Sequence, residues 1–184
     1  MGEGSLLVVT GPPAAGKTTV ARVLTARRAR SVHLHADDFW GFIVSGYIDP
    51  WLPQSHEQNE VVMRGVCRTA ATFAAGGYDV MLDGVLGPWF LSELTAACSA
   101  EDIDVHYVVL LPPLEVALHN LAGRTGHGFT SADATAKMHA EFAAAVVGLD
   151  KHVIDPSGLA PEALADEVDA RLVAGGLRLA DASG

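Results

Sequence analysis

At 184 residues the chain has room for one hydrophobic core, and nothing in its length calls for a second domain. Hydrophobic residues make up 49% of it and charged residues 18%, a balance that excludes a disordered tail and predicts a compact globular chain spanning residues 1–184. The formal net charge of −10 repels polyanions, which argues against nucleic acid as a partner for the surface as a whole.

In chain order, residues 6–9 form a continuous apolar run that enters a Gly/Pro turn, which predicts a strand buried on both faces. Val20, Val23 and Leu24 recur at helical spacing within residues 17–29, and residues 31–35 read as a second strand. A long helix is predicted over residues 55–75, with Val62, Val66, Ala70 and Phe73 on one side and Gly76 and Gly77 as its stop. Residues 79–82 and 105–111 are two further strand-like runs. Helices are predicted at 88–99 and 113–122, each with Pro near its first turn, and Ser131 reads as the cap of a helix over 132–147. Residues 151–154 predict a last strand, and Pro161 opens a terminal helix ending near Gly175. Strands alternating with helices predict an α/β chain with a parallel sheet covered on both faces.

The opening MGEGSLLVVT carries acidic Glu3 and only a short apolar run, so no signal peptide is expected, and Leu6 misses the Ser or Thr of a myristoylation site. The longest apolar run, 105–111, stops at Pro112 and Pro113 and is too short to span a bilayer. Cys67 and Cys98 lack metal or redox spacing and are expected as buried free thiols, in keeping with a cytoplasmic protein.

Residues 11–18 read GPPAAGKT, the G-x-x-x-x-G-K-[ST] pattern, set between a predicted strand and a predicted helix. Gly11 and Gly16 let the backbone curl so that its N–H groups face an anion, and the start of the helix adds its positive dipole end. Lys17 is expected to reach the β and γ phosphates of ATP and Thr18 to offer its hydroxyl to Mg²⁺, with Ala14, Ala15 and Thr19 completing the nucleotide-binding set. Pro12 and Pro13 each remove an N–H but stiffen the loop.

The stretch SVHLHADDFW, residues 31–40, ends a strand in two adjacent carboxylates, Asp37 and Asp38, followed by Phe39 and Trp40. Neighbouring like charges beside aromatic rings repel each other and lose hydration, so a cation, a hydrogen-bonded role or chemistry has to compensate. Two readings stay open: the pair caps a loop or helix start, or it works on a ligand, because ligands of open parallel sheets bind beyond the C-terminal strand ends. His33, His35 and Asp37 alternate on one strand face. A transition-metal site there is the weaker reading, since the phosphate loop already accounts for the location. Glu60, Arg64 and Arg68 share a helix face and read as an ion-pair row, with acceptor binding as the alternative. Arg22, Arg27, Arg28 and Arg30 read as the cationic end of a helix, with a local basic groove as the alternative.

At the phosphate loop, at HADDFW, at VMLDG (80–84) and around Arg124, the chain resembles the P-loop small-molecule kinases, namely the nucleoside monophosphate, shikimate and gluconate kinase group and, more closely, chloramphenicol phosphotransferase and its relatives. The resemblance implies a three-layer P-loop NTPase fold, with a five-stranded parallel sheet in the order 2-3-1-4-5 and a helical lid at about residues 123–147. ATP and Mg²⁺ are the implied cofactors, and the implied partner is a small molecule with a hydroxyl acceptor. Asp37 takes the role of general base, with Asp38, Phe39 and Trp40 beside the acceptor and Asp83 serving either Mg²⁺ or the acceptor. In GRTGHGF (123–129), Arg124 matches the lid arginine that folds over the transferring phosphoryl group, with His127 close by in sequence. Asp155, Pro156 and Ser157 in VIDPSG match the loop that holds the nucleotide base.

In the similar 5′-hydroxyl polynucleotide kinases an Arg stands two residues after the paired aspartates, where this chain has Trp40. An indole in place of a cation suits a small, partly apolar acceptor, and Phe39, Phe42, Trp51, Trp89 and Phe90 offer rings for such a pocket. The leading expectation is therefore an ATP-dependent phosphotransferase acting on a hydroxyl of a metabolite or antibiotic. A regulatory ATPase or switch is the alternative; against it, the chain has no N-K-x-D signature and Gly84, not Glu, follows Asp83. A 5′-hydroxyl polynucleotide kinase is the third reading, opposed by the negative charge and by Trp40.

Overall fold

The computed structural model describes residues 4–123 and 130–179. The apolar runs become five parallel strands: β1 (Ser5–Thr10), β2 (Ser31–His35), β3 (Asp79–Asp83), β4 (Val105–Leu110) and β5 (Val153–Ile154). They lie in the order β2-β3-β1-β4-β5, the order expected for a P-loop NTPase fold. The described residues also form seven α-helices: α1 (Lys17–Ala26), α2 (Asp37–Gly41), α3 (His56–Ala75), α4 (Leu91–Ser99), α5 (Leu114–Ala122), α6 (Ala132–Ala145) and α7 (Pro161–Val173).

Because side chains alternate along a strand, each central strand feeds two cores. Leu6, Val8, Val80, Leu82, Tyr107 and Val109 face one layer with Met63, Val66 and Ala70 of α3, Leu94 of α4 and Phe142 of α6. Leu7, Val9, Met81, Val108 and Leu110 face the other with Val20 and Leu24 of α1 and Leu164 and Val168 of α7. Burying one such aliphatic side chain stabilises the fold by about 1.5–3 kcal/mol, which fixes both helical layers against the sheet.

The structure departs from the sequence expectations at several ends. Asp37–Gly41 is a short helix directly after β2, which the pattern had not separated from the strand end. In α3, Ala74 is buried where Phe73 was expected; Phe73 is 39% exposed and packs edge-on against Tyr78. The last strand begins at Val153 because Asp150–His152 forms a 3-10 turn that tucks His152 under β4, where Nδ1 donates to the Tyr107 carbonyl at 2.9 Å. Beyond α7 the chain returns along the lower half of β4: Tyr107 N donates to the Leu177 carbonyl at 2.8 Å and Leu179 N to that of Val105 at 2.9 Å. This antiparallel clip buries Leu177 completely and covers an edge that would otherwise lie open. Among the described residues no helix is long and apolar enough to cross a membrane.

Candidate active site

The C-terminal ends of β1, β2 and β3 meet at one edge of the sheet, and the polar residues gather there. Between β1 and α1 the chain turns through Gly11 and Gly16. A Cβ on Gly11 would lie 2.1 Å from the Leu110 carbonyl oxygen, so only glycine lets the loop pass β4, and Gly16 has φ 89°, a left-handed value that glycine adopts without strain. Ala14 is left-handed as well, at φ 64°, a conformation that costs an alanine about 1–2 kcal/mol. Two side-chain bonds brace the loop around it. Asn120 of α5 donates Nδ2 to the Ala14 carbonyl at 3.3 Å, and Lys17 Nζ donates to the Pro12 carbonyl at 2.8 Å. Ala14 and Ala15 are buried, Lys17 is 8% exposed and Thr19 faces solvent. The first N–H groups of α1 have no partner within the helix, so the loop mouth favours an anion.

Asp83, at the end of β3, is the polar hub beneath this loop and is fully buried. Thr18 donates its hydroxyl to Oδ2, and His33 Nε2 lies 2.7 Å from Oδ1. His35 Nδ1 is 3.2 Å from the same Oδ1 but off the line of a hydrogen bond, so the contact is an ion pair. Burial opposes the charge on Asp83, but the His33, His35 and Thr18 contacts outweigh it and hold its carboxyl well below the usual carboxylate range. In turn the Asp83 contact raises His35 to about 9 against the opposing cost of burial, with Asp37 and Asp38 adding to the rise. The alternation of His33 and His35 thus has a structural explanation: both side chains turn to Asp83 from the neighbouring strand β2. The sequence alternation sets them with Asp37 only in the weaker, metal-site reading. What was missing is the β2–β3 register, in which His33 lies beside Met81 and His35 beside Asp83.

Asp37 and Asp38 form the first turn of α2, both exposed. They sit at the same sheet edge because Ala36 N donates to the Asp83 carbonyl at 2.8 Å. Phe39 and Trp40 turn inward onto the core, and the Trp40 indole donates to Asn59 Oδ1 at 2.9 Å, so Trp40 anchors α2 to α3. Asn59 also donates to the Pro50 carbonyl and to the Ser55 hydroxyl, while Gln58 brackets Ile48 through both its N and its O. These bonds shape the loop of residues 42–52, which carries Phe42 (71% exposed), Tyr47 (46%) and Trp51 (38%). Partial burial raises the Tyr47 phenol, and the carboxylates of Asp49 and Asp37 add to it. Of the other rings expected near an acceptor, Trp89 is half-exposed but packs on Phe142 of α6, with ring centroids 5.3 Å apart.

Arg124 and His127 lie outside the described residues. Ser131 caps α6 as expected, accepting from Ala134 N at 3.2 Å. In the segment after β5, Asp155 Oδ1 accepts from Ser157 N at 2.9 Å, and Ser157 Oγ is buried without a hydrogen bond among the described residues. The helix-face row takes another form: Glu60 pairs with His56 at 3.3 Å, while Arg64 and Arg68 line a groove of about 430 Å³ between α3 and α4 with Glu93 and Glu101. Arg27 and Arg28 are bound to Asp166 and Asp169 of α7, and Arg30 lies over the Tyr78 ring at 4.1 Å. Beneath the site, Thr10 and Tyr107 fix the start of the segment after β3: Leu86 N donates to Thr10 Oγ1 at 2.9 Å, and Tyr107 OH donates to the Leu86 carbonyl at 2.7 Å.

A glycine-framed phosphate loop at the head of α1, on a 2-3-1-4-5 parallel sheet, defines a P-loop nucleotide-binding domain. Residues 6–149 match the AAA domain family, and the chain belongs to that family. No curated protein matches it in sequence. Among solved structures it is similar in fold to a sugar kinase from a Janibacter species, with a TM-score of 0.70, 19% identity, and coverage of 92% of this chain and 95% of that one. The Deinococcus radiodurans tunicamycin resistance protein gives a TM-score of 0.67 at 17% identity, over 92% and 95% of the two chains. Shikimate kinase from Acinetobacter baumannii gives 0.60 at 19% identity, over 94% of each. At these identities the likeness is one of fold, and it is the fold of the small-molecule P-loop kinases.

Proposed function

We propose that the protein is an ATP-dependent phosphotransferase that moves the γ-phosphoryl group to a hydroxyl of a small molecule, with Asp37 as general base. The observation that carries this reading is the placement of an exposed carboxylate pair, Asp37 and Asp38, at the same strand edge as the phosphate loop, next in the chain to a residue hydrogen-bonded to Asp83. In the step, the bond between acceptor oxygen and γ phosphorus forms, the bond from that phosphorus to the ADP leaving oxygen breaks, and the hydroxyl proton passes to the Asp37 carboxylate. Lys17 exchanges the Pro12 carbonyl for phosphate oxygens, and the N–H groups at the start of α1 hold the remaining charge. Arg124 closes over the transferring group, and residues 155–157 hold the base.

The pair Thr18 and Asp83 fits Mg²⁺, because it offers hard oxygen donors and a carboxylate that stays ionised although buried. Thr18 and Asp83 would hold the ion, which would supply neutralisation of the phosphate charge. Support for the reading comes from the family match and from structural neighbours whose names are those of kinases. The test is Mg²⁺-ATP-dependent ADP release, screened against hydroxyl-bearing metabolites, nucleosides, antibiotics and a 5′-hydroxyl oligonucleotide, with Asp37→Asn in parallel. Stimulation by one acceptor, lost in the variant, is the expected result. ADP release that no acceptor stimulates and that Asp37→Asn leaves unchanged would replace the reading with a regulatory ATPase.

A further inference from the structure

Residues 31–63, which run from β2 through the loop beside Asp37 into α3, contain Asp37, Asp38, Asp49, Glu57 and Glu60 and not one Lys or Arg. The cations that flank this stretch are engaged elsewhere in the fold. Arg27 and Arg28 are held by α7, Arg30 stacks on Tyr78, and Arg64 lines the α3–α4 groove with Glu93. The three histidines of the stretch are matched too, His33 and His35 by Asp83 and His56 by Glu60. Away from a helix start or phosphate loop, the side chains that bind a carboxylate or phosphate group are Arg, whose N–H donors fit two oxygens at once, and Lys, a compact positive charge. Among the described residues the acceptor side offers none of that chemistry, and it offers carboxylates and aromatic faces instead: Tyr47 is acted on by both Asp49 and Asp37, and Phe42 is 71% exposed on the same loop.

We infer that the acceptor is a hydroxyl compound without carboxylate or phosphate, uncharged or cationic, whose apolar portion lies against the loop that carries Phe42 and Tyr47. The inference rests on the phosphotransferase reading for its site and adds the charge class of the substrate. An anionic acceptor would meet Asp37, Asp38 and Asp49 on one side and the phosphates of bound ATP on the other, with like charges on both. A neutral compound avoids that repulsion. An amine-bearing one gains from the carboxylates and from the ring faces, which attract cations.

The experiment uses two matched sets of probes: an amino sugar, its parent sugar, the aldonic acid and the sugar phosphate; and an aromatic amino alcohol, the neutral aromatic alcohol and the aromatic hydroxy acid. Binding to the full chain with ATP and Mg²⁺ is measured by calorimetry, and transfer by ADP release. The expected result is that, in at least one set, the uncharged or cationic members bind at least tenfold more tightly than the acid or phosphate of the same skeleton. That ratio should shrink in Asp49→Asn, in Asp38→Asn and with added salt, while the KM for ATP stays constant. Equal or tighter binding of the acids overturns the inference, and so does binding of no member of either set. Preferential binding without phosphoryl transfer would leave the charge class standing and remove the phosphotransferase reading, so the two ideas fail separately.

Discussion

At the ends of β1 and β3 the polar groups are buried and paired before any ligand arrives, with Lys17 8% exposed and Asp83 fully buried, whereas after β2 Asp37 and Asp38 stand in solvent on the segment that leads to a Phe42 that is 71% exposed. A phosphate chain has the same shape whichever acceptor it serves, so its cradle can be made of backbone and internal hydrogen bonds. Lys17 rests on the Pro12 carbonyl and Asn120 braces Ala14, which leaves little to reorganise on binding. The proposed acceptor side is instead a loop pinned at its base by Asn59 and Gln58, with Asp37, Asp38 and Phe42 exposed.

The contrast predicts how each half responds to substitution. Lys17→Ala should abolish transfer, a loss of roughly a thousandfold or more in ADP release, because a phosphate-directed cation vanishes from a preorganised cradle; near-normal turnover would show that the cradle does not hold the reacting phosphates. Asp37→Asn should lower turnover roughly a hundredfold with ATP affinity unchanged, as expected for a lost general base on the open side. An altered ATP affinity would place Asp37 in the nucleotide half instead.

Tyr107→Phe strips the donor from the buried Leu86 carbonyl and should reduce unfolding stability by about 1–3 kcal/mol in denaturant titration. A smaller, pH-dependent effect belongs to His35. Its folded pKa of about 9 lies above its unfolded value, so its contribution is fully present below about pH 6.5 and is lost as pH rises through about 9. Thermal melts without Mg²⁺ should therefore fall by a few degrees over that window in the wild type and stay flat in His35→Gln. Asp83 works in the opposite sense: its carboxyl is depressed, so its contribution is present above about pH 4 and is lost only as the pH falls through the folded value. The least effect is expected at Phe42→Ser, which should move stability by no more than about 0.5 kcal/mol, because the ring is mostly in solvent. A larger loss there would mean that the acceptor loop, like the phosphate cradle, is built to hold the fold.

The sequence by itself determined the parts whose physics is local. Apolar runs predicted β1, β3 and β4 within a residue or so, Ser131 marked the start of α6, and GPPAAGKT located the phosphate loop, because an apolar run, a helix cap and a glycine turn are each written in neighbouring residues of the chain. The tertiary structure decided what depends on register and on residues far apart. His33 and His35 reach Asp83 only because β2 pairs with β3, Asn120 meets Ala14 across 106 positions, and the segment at Leu177 covers the edge of β4. The same holds for the indole N–H of Trp40, whose partner Asn59 lies on α3 and is set by the packing of α2 on that helix. A side chain's residue type limits the bonds it can make, but which bond forms is settled by the partner that the packed chain brings within about 3 Å.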